Sequence, residues 1–542
     1  MVSALLGEVM EKNDKSTQKG NFILVLVAML LGVLIGLMCA NTFSRRGELT
    51  PLQGKMDEVM GLVQKEYVDM VDVDSLSEEL VRVMLSELDP HSTYLSARES
   101  ERTAEMMRGN FEGVGLVIHR EGDSSFVGQV MPGGPSDGSG LLPGDWIVTV
   151  DGDSVTGLPA DSVVAHLRGP RYTSVTVGVQ RYDVAAAAMK PYSYKIRRGV
   201  VDQRSVPYYG MVDDTTGYVL LTSFTSTSHA EFRTAVRQLK VQGMRHLVFD
   251  LRGNGGGSLQ AAVAIAGELL PMGSLIVYMQ GVHSPRRDLT AHGGGLFAKG
   301  RVTVIIDEGS ASASEVVAGA LQDNDRATVV GRRSFGKGLV QTEYSLSDGS
   351  TVLLTTARYY TPSGRCIQRS YDDGTDEYYR DYVQQLIDET YADSAVANVK
   401  DTTPYYTVGG RTVYGGGGIN PDHLFPYRHD TSFIYYNQLV SRRLLSTTAF
   451  DYVRKHVGEL TERYPDQESF CREFRVGEPL MEALVSRGER MGVARDTKSL
   501  RKQRGLIANM LAAFVGQALY GDAVYYRLLL REDDDMNKIR KL

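Results

Sequence analysis

The chain has 542 residues, 42% of them hydrophobic, with 59 Lys and Arg against 66 Asp and Glu. A chain of this length indicates about three or four globular domains. Its formal net charge is −7 and the two signs are mixed throughout, so no basic face points to a nucleic-acid partner. The three cysteines, Cys39, Cys366 and Cys471, lie far apart and provide neither a disulfide framework nor a zinc-binding spacing.

The N-terminal part contains an uncharged apolar run from Phe22 to Ala40. Its length is close to the roughly 20 residues that span a bilayer, so we predict a single-pass transmembrane anchor at 22–40, preceded by a tail at 1–21. A cleaved signal peptide remains the alternative, although its apolar core is usually about 7–15 residues long and Met38 fits poorly before a cut at Ala40. Basic residues flank the run on both sides, so they give almost no indication of which end of the span faces the cytoplasm.

Residues 41–108 are predicted to form a helical N-terminal region, because apolar residues recur there at helical spacing until Asp89-Pro90-His91 interrupts the pattern. Residues 109–200 are predicted to form short strands, with one helix at Asp161–Arg168.

A glycine-containing loop, Gly113-Val114-Gly115-Leu116, opens the first strand of the second region. Together with the turn Pro143-Gly144-Asp145 it resembles a PDZ domain. The resemblance implies that N–H groups around Val114, Gly115 and Leu116 bind the C-terminal carboxylate of a partner chain, which then adds a strand to the sheet edge. The alternative is a small β-rich domain whose glycines only make turns.

Residues 201–424 alternate strands with helices, which predicts a mostly parallel sheet covered by helices. The predicted strands are Gly217–Phe224, His246–Leu251, Leu275–Met279, Val302–Ile306, Ala327–Gly331, Leu339–Leu346 and Thr351–Tyr360. Residues 425–542 are predicted to be helical, with apolar faces suited to packing or oligomerisation.

Two glycine-rich motifs resemble nucleotide-binding loops but fail in detail. The pattern Gly-x-Gly-x-x-Gly read from Gly253 ends on Ser258, and the loop from Gly331 to Lys337 continues with Gly338 where a P-loop needs Ser or Thr. The chain has no His-Glu-x-x-His motif. We therefore expect no cofactor and no metal.

Ser312 lies where an apolar strand, a turn of small residues and an apolar helix follow one another. A hydroxyl there sits at a positive helix N-terminus, where a developing oxyanion is favoured. Ser312-x-x-Glu315 is also a capping box, so the serine could serve only to cap the helix. The local pattern leaves these two interpretations open.

Lys337 is the candidate base for that serine. A lysine acts as a base only when it is neutral, which requires burial and no paired carboxylate; Gly336, Gly338 and the apolar residues that follow fit this requirement. Gln341 could hydrogen-bond the amine, although in a straight strand the two Cα atoms would be roughly 13 Å apart, so the glycine turn must shorten the span. A solvated surface lysine is the alternative.

These motifs as a set resemble those of the C-terminal processing peptidases, also called tail-specific proteases. The set comprises Asp89–Tyr94, the PDZ-like insert, Asp250–Gly257, Ser310–Glu315, Phe335–Gly338 and Gly417–Asp422, in the family's order over roughly 50–425. The resemblance implies an α/β, ClpP/crotonase-like peptidase core at 201–424, a PDZ domain at 109–200 and a helical region at 425–542. It further implies Ser312 as nucleophile, Lys337 as general base and Gln341 as its support.

The resemblance also implies an oxyanion hole formed by backbone N–H groups, those of Ala313 with Gly256 or Gly257. Arg168, at the end of the PDZ-like helix, is the candidate for coupling that domain to the core. The chain departs from the family's pattern at Gly255, where proline is frequent, and in the helical region after 425.

The function implied is a membrane-anchored serine endopeptidase that cleaves proteins with accessible C-termini through an acyl-enzyme. By resemblance, residues 1–21 are cytoplasmic, the anchor lies in the inner membrane and the catalytic part is in the periplasm. A homo-oligomer or a regulatory partner protein remains open. A non-catalytic PDZ scaffold that tethers periplasmic proteins to the membrane is the alternative.

Overall fold

The computed structural model describes residues 51–183, 188–390, 403–426 and 433–542. The chain divides into two compact units, one up to Val81 and one from Arg82 onward. The described part of the first unit contains helix α1 (Pro51–Glu66) and the beginning of α2 (Val73–Ser86). The predicted span at 22–40 lies outside the described residues, and within the described ranges no helix is long and apolar enough to cross a membrane.

In the second unit, α2 is followed by a turn at Asp89-Pro90-His91-Ser92 in which Asp89 and Ser92 are buried. The Asp89 carboxylate accepts hydrogen bonds from the N–H groups of His91 and Ser92, each at 2.8 Å, and from the Ser92 hydroxyl. This turn stops the helical pattern, as predicted from the proline. It is followed by β1 (Thr93–Leu95), α3 (Ala97–Arg108) and β2 (Asn110–Gly113).

A β-rich domain follows. Its elements are β3 (Leu116–Glu121), β4 (Ser124–Val130), β5 (Trp146–Val150), β6 (Asp153–Ser154), α4 (Ala160–Leu167), β7 (Ser174–Asp183) and β8 (Ala188–Arg197). The strands pair in the order β3-β4-β5-β7-β8, with β6 on β5, so β3 is an edge strand. Alternate residues such as Val175, Val177 and Val179 are fully buried with Val163 of α4. Strand β9 (Gly199–Asp202) pairs with β2 and returns the chain to the core.

The core contains, in chain order, β10 (Tyr208–Met211), β11 (Thr216–Leu220), α5 (Ser228–Val241), β12 (His246–Asp250), α6 (Leu259–Leu269), β13 (Leu275–Gln280), β14 (Arg287–Thr290), β15 (Arg301–Ile306), α7 (Ala313–Asp323), β16 (Thr328–Gly331), β17 (Leu339–Ser345), β18 (Thr351–Tyr360), α8 (Thr375–Thr390), β19 (Pro404–Tyr406), β20 (Thr412–Tyr414) and β21 (His423–Leu424).

The main sheet has the order β10-β11-β12-β15-β16-β21, and every pair from β11 to β21 is parallel. The predicted parallel sheet is therefore confirmed. Strand β13 does not join it, because it forms a hairpin with β14 and pairs with β18 in a second, antiparallel sheet that also holds β1 and β17. The stacked rings of Tyr278 and Tyr360, with centroids 4.8 Å apart, lie on this pairing.

Both faces of the main sheet are buried, which its nearly continuous apolar strands require. Helices α5, α6 and α7 cover one face, where residues such as Phe232, Ile265 and Val317 pack against Phe249 and Val304. The neighbouring residues on each strand point to the other face. There Tyr218, Val248, Ile305 and Val330 form a second core with Met536 and Ile539 of the C-terminal region.

The C-terminal region is helical, as predicted. Its helices are α9 (Phe433–Ser441), α10 (Leu444–Arg463), α11 (Gln467–Glu473), α12 (Glu478–Arg490), α13 (Thr497–Lys502), α14 (Arg504–Tyr520), α15 (Asp522–Arg531) and α16 (Asp534–Ile539). Most of them share one apolar core, built around residues such as Phe470, Leu484 and Leu511. Helix α10 also reaches the β-rich domain, where the rings of Phe450 and His119 lie 5.7 Å apart.

Candidate active site

Ser312 occupies a strained turn between β15 and α7. Its φ of 55° and ψ of −111° are rarely adopted by an L-residue, and such strain is concentrated at functional sites. The predicted capping box is present, with the Ser312 N–H donating to Glu315 Oε2 at 2.8 Å. A cap does not require this strained backbone, because N-cap residues normally adopt extended φ and ψ. The geometry therefore supports a role for Ser312 beyond capping.

Glu315 connects the serine turn to the loop that carries the lysine. Its fully buried carboxylate accepts hydrogen bonds from Ser334 Oγ at 2.6 Å, Gly336 N at 2.7 Å and Lys337 N at 2.9 Å, besides that from Ser312. Burial raises the pKa of Glu315 to about 7, and the hydrogen bonds oppose this shift. One carboxylate thus organises both candidate catalytic segments.

Tyr359 forms a second bridge between the same two residues. Its buried hydroxyl contacts the carbonyl oxygen of Ser312 at 3.1 Å and the carbonyl oxygen of Lys337. Burial raises the pKa of this hydroxyl well above its usual value, so it stays protonated and able to donate. The backbones of Ser312 and Lys337 are therefore linked twice, each time through one side chain.

The Lys337 side chain is largely enclosed. Burial lowers its pKa, while the nearby carboxylates of Glu315 and Asp89 act in the opposite direction. Among the described residues Lys337 forms no ion pair, as a neutral base requires. His91 faces the same lysine; burial, and then the charge of Lys337, lower the pKa of this histidine to about 4.

Gln341 lies near this site but is oriented by another residue. Its side-chain amide donates to Thr355 Oγ1 at 3.2 Å, and that hydroxyl donates to Asp89 Oδ1 at 3.1 Å. The β17–β18 pairing shifts register between Val340 and Gln341, which re-aims the glutamine side chain. Gln341 is thereby connected to Asp89, and within the described ranges no hydrogen bond joins it to Lys337.

The glycine loop after β12 lies directly against Ser312. A methyl group added to Gly256, whose φ is +103°, would lie 2.9 Å from Ser312 Cβ and 3.0 Å from Ala313 N. The Gly256 N–H already donates to Asn254 Oδ1 at 2.9 Å. In the part of the chain that the structure describes, the N–H groups of Ala313 and Gly257 have no protein acceptor. Of the two glycines that the resemblance suggests, Gly257 is thus the one with a free donor.

A cavity of about 650 Å³ runs along α6, the helix that follows the glycine loop. Leu259, Val263, Met279 and Leu289 supply apolar walls, and Glu268 also lines the cavity. Leu259 follows Gly256 by three residues, and Met279 is the register partner of Tyr359. The cavity is therefore lined by sequence and strand neighbours of the site, while Ser312 and the glycine loop are not among its lining residues.

The loop Gly113–Leu116 joins β2 to the edge strand β3, and Gly115 has a φ of +73°. The N–H groups of Val114 and Gly115 donate to no protein acceptor among the described residues. A sheet edge beside free N–H groups suits a chain that ends in a carboxylate and adds a strand.

Arg168 lies next to this loop. Its guanidinium pairs with Glu105 of α3 at 2.8 Å and lies 4.8 Å from the ring centroid of Phe111. The end of α3 in turn accepts hydrogen bonds from Ser226, at Met107 O and Arg108 O.

The segment around Ser226 also reaches the glycine loop. Phe224 N donates to Gly256 O at 2.9 Å, and Ser258 N donates to Phe224 O at 2.8 Å. A chain of contacts therefore runs from the PDZ-like helix α4 to the loop beside Ser312.

The sequence did not reveal three contributions to this site. These are the bond of Asp89 to Thr355 and the bridges that Glu315 and Tyr359 make between the serine and lysine segments. Asp89 and Glu315 stood inside recognised motifs, so their carboxyl groups could have been considered as more than turn and cap residues. Nothing in the sequence pattern indicated a role for Tyr359, because it follows the ordinary alternation of buried and exposed residues in strand β18.

Comparisons with known proteins agree with this arrangement. The model of peptidase family S41 matches residues 215–376, and the PDZ domain model matches residues 103–180. A third model, described only as a family of unknown function, matches residues 435–521.

Several relatives share much of the chain. A carboxy-terminal-processing protease of Bartonella bacilliformis is 34% identical over 318 residues, 58% of this chain and 72% of the relative. A probable CtpA-like serine protease of Staphylococcus epidermidis is 32% identical over 315 residues, 58% of this chain and 62% of the relative. Among solved structures, the photosystem II D1 C-terminal processing protease is 31% identical with a TM-score of 0.33, covering 59% of this chain and 90% of its own.

The core, the β-rich domain and these matches define a serine peptidase with a PDZ domain. The chain belongs to the carboxy-terminal-processing protease family, within peptidase family S41.

Proposed function

We propose that the chain cleaves peptide bonds with a Ser312–Lys337 dyad. Neutral Lys337 takes the proton from Ser312 Oγ as the oxygen attacks the peptide carbonyl carbon. The N–H groups of Ala313 and Gly257 stabilise the resulting oxyanion. The lysine then gives its proton to the leaving amine, which departs and leaves an acyl-enzyme. Lys337, now neutral again, takes a proton from a water molecule as the water oxygen attacks the acyl carbon. The bond to Ser312 Oγ then breaks, the lysine returns the proton to that oxygen, and the acid product leaves.

The observation that carries this proposal is the double link between the two residues. Glu315 accepts a hydrogen bond from the backbone of each, and Tyr359 contacts the carbonyl oxygen of each. Such fixed backbones limit the misplacement of a nucleophile and its base, to which reaction rates are very sensitive. The lowered pKa of Lys337 adds support, because it increases the fraction of neutral amine near neutral pH.

The test compares the full chain with Ser312→Ala and Lys337→Ala on an unfolded protein substrate with an apolar C-terminus. We expect cleavage by the unchanged chain alone, with kcat/KM rising with pH through an apparent pKa below the usual value for lysine. Equal cleavage by the serine variant would contradict the assignment of the nucleophile. Binding of C-terminal peptides without any serine-dependent cleavage would instead favour a PDZ scaffold.

The substrate class that fits best is a protein with an accessible C-terminus. The free N–H groups of Val114 and Gly115 and the open edge of β3 support docking of that terminus in the PDZ domain. The cavity along α6 suits an apolar side chain of the same substrate near the scissile bond.

Arg168 would couple docking of the substrate C-terminus in the PDZ domain to cleavage at Ser312. It joins α4 to α3, and α3 contacts the segment beside the glycine loop. We expect Arg168→Ala to lower cleavage of substrates that bind the PDZ domain while small active-site reagents react at the normal rate. The exposed Arg171→Ala is the matched control.

We further propose that residues 22–40 anchor the chain in the inner membrane with the catalytic part in the periplasm. The uncharged apolar run supports the membrane anchor, and the family resemblance supports placing the catalytic part on the periplasmic side. A reporter fused after Arg46 that proves to be cytoplasmic would contradict the orientation.

A further inference from the structure

The C-terminal helix α16 lies on the second face of the main sheet, beneath the loops of the active site. We propose that it is a positioning element of that site: Asp533 and Asp535 hold Arg252 and Arg332, and through them the glycine loop and the loop that carries Lys337. We call these four residues the C-terminal clamp. The inference rests on the proposed function, since it concerns the same nucleophile and base.

Arg252 is the first residue of the clamp along the chain and stands at the start of the glycine loop. Its guanidinium donates to Asp250 Oδ2 at 2.6 Å, to Asp533 Oδ2 at 2.7 Å and to Asp535 Oδ2 at 3.2 Å. The arginine side chain is only 22% exposed, so these bonds are shielded from water. Two of its three carboxylate partners come from the C-terminal segment.

The rest of the glycine loop is bonded to the serine turn. Gly253 N donates to Asp307 Oδ1 at 2.8 Å, and Asn254 O accepts from Ala311 N at 3.0 Å and from Ser314 Oγ at 2.7 Å. Besides its bonds to Phe224, the loop is therefore held at the serine turn and, through Arg252, at the C-terminal segment. We expect that loss of the bonds to the C-terminal segment lets the start of the loop shift relative to Ser312.

Arg332 is the other arginine of the clamp, and it precedes Lys337 by five residues. Its Nε donates to Glu308 Oε2 at 2.8 Å, in the turn before the serine. The same guanidinium lies 3.7 Å from Asp307 and 3.7 Å from Asp535. Asp535 thus reaches both arginines of the clamp, and so contacts the start of both loops.

Apolar contacts hold α16 on the sheet independently of these charges. Met536 and Ile539 are buried against Tyr218, Val248 and Ile305, on the strands whose ends carry the active-site loops. Because this packing fixes the helix, neutralising an aspartate should alter the loops without releasing the helix.

The decisive variants are Asp533→Asn and Asp535→Asn, alone and together, in the full chain. Asp533 also caps α16, with Oδ1 accepting from Asp535 N at 2.9 Å and Met536 N at 3.2 Å. Asparagine is an equally good cap, so Asp533→Asn removes the charge and keeps the helix start. Glu532→Gln, an exposed position next to the clamp, is the control with the same loss of charge.

Five quantities are measured for each variant: kcat and KM on a protein substrate, the labelling rate of Ser312 by a fluorophosphonate, Tm, and the affinity of the PDZ domain for a C-terminal peptide. We expect kcat and the labelling rate to fall about 10- to 100-fold in the double variant, as for a misplaced catalytic group, with the peptide affinity unchanged. The control should match the unchanged chain.

An unchanged kcat and labelling rate in the double variant would overturn the proposal. So would a fall in rate that only follows a fall in Tm and peptide affinity, because that pattern describes a structural ion cluster. If the unchanged chain itself showed no serine-dependent reaction, the proposed function would fail. Amide hydrogen exchange at 251–257 and 332–338 would then test by itself whether the C-terminal clamp holds these loops. Exchange that is faster in the double variant and unchanged in the control would support it.

Discussion

At the scale of single residues, the site depends on a few buried side chains that each contact two segments. Glu315 is the clearest case, because its four hydrogen bonds come from residues 312, 334, 336 and 337. Burial makes this carboxylate costly to ionise, which its raised pKa expresses, while the four donors reduce that cost and determine its position. A residue of this kind fixes geometry that a surface ion pair could not.

The glycine loop offers a sharp prediction at this scale. Gly256→Ala would place a methyl group 2.8 Å from Ala311 O and 2.9 Å from Ser312 Cβ, at a φ of +103°. We expect its kcat to fall at least about 100-fold, as for the loss of an oxyanion donor. The measurement is kcat on a protein substrate.

Gly255→Ala is the matched control, since a methyl group there meets no atom within 4 Å. We expect it to retain activity within about threefold, because nothing has to move. Equal activity of the two alanine variants would contradict the role given to the close approach at Gly256.

Part of this site could be predicted from the sequence and part could not. Ser312 and Lys337 stood in recognisable motifs, and the spacing to Glu315 correctly predicted a cap. That the same carboxylate also holds Lys337 depends on how distant segments meet in the fold, which local spacing does not encode. The Asp89 contact with Thr355 spans 266 positions and is invisible to any local pattern for the same reason.

At the scale of secondary structure, α6 connects the oxyanion loop to the proposed substrate cavity. Its N-cap, Ser258, follows the glycine loop directly, and Leu259 and Val263 line the cavity one turn apart. A change in the cavity wall is therefore expected to act on substrate binding while leaving the serine turn untouched.

Val263→Trp tests this expectation by filling the cavity. We predict a KM on an apolar substrate about tenfold or more higher, because the side chain that the cavity binds is excluded. The rate of Ser312 labelling by a small fluorophosphonate should stay within about twofold of normal. Val241→Trp, at an exposed position of α5, is the control. A loss of labelling equal to the rise in KM would show that the cavity supports the serine turn instead.

The sequence predicted most of these elements but not their grouping into sheets. Strand β13 was expected from its apolar run, yet such a run looks the same whether the strand lies in a parallel or an antiparallel sheet. Strand β13 joins the antiparallel sheet because it forms a hairpin with β14 and pairs with β18. The pairing with β18 is a long-range contact.

At the scale of the whole molecule, the C-terminal region covers the second face of the catalytic sheet. The sequence predicted a sheet covered by helices, but Met536 and Ile539 of the covering helix stand in a strongly charged segment without an apolar pattern. The covering element could therefore be found only from the structure.

Two partly buried histidines give the stability of the second unit a predictable pH dependence. Burial lowers the pKa of His91 and of His246 to about 4 each, below the ordinary value of about 6.5. Each depressed pKa contributes stability that is present above pH 6.5 and is lost as the pH falls toward 4. The free energy of unfolding should therefore decrease as the pH falls over this range.

Urea unfolding at several pH values between 7 and 4 measures this slope. The double variant His91→Gln/His246→Gln should show a shallower slope than the unchanged chain. His166→Gln, at an exposed position, should leave the slope as it is. An unchanged slope in the double variant would contradict the assignment to these two histidines.

The pairing of β2 with β9 has a consequence for how the PDZ domain could be gained or exchanged. Asn110 and Asp202, where the chain leaves and re-enters the core, are register partners on neighbouring strands. The domain is therefore a cassette whose two ends meet, and a short hairpin turn after Gly113 and before Gly199 could replace it without cutting the core. Its contacts with Glu105 and with Phe450 are made by side chains, which can change one residue at a time without altering the core.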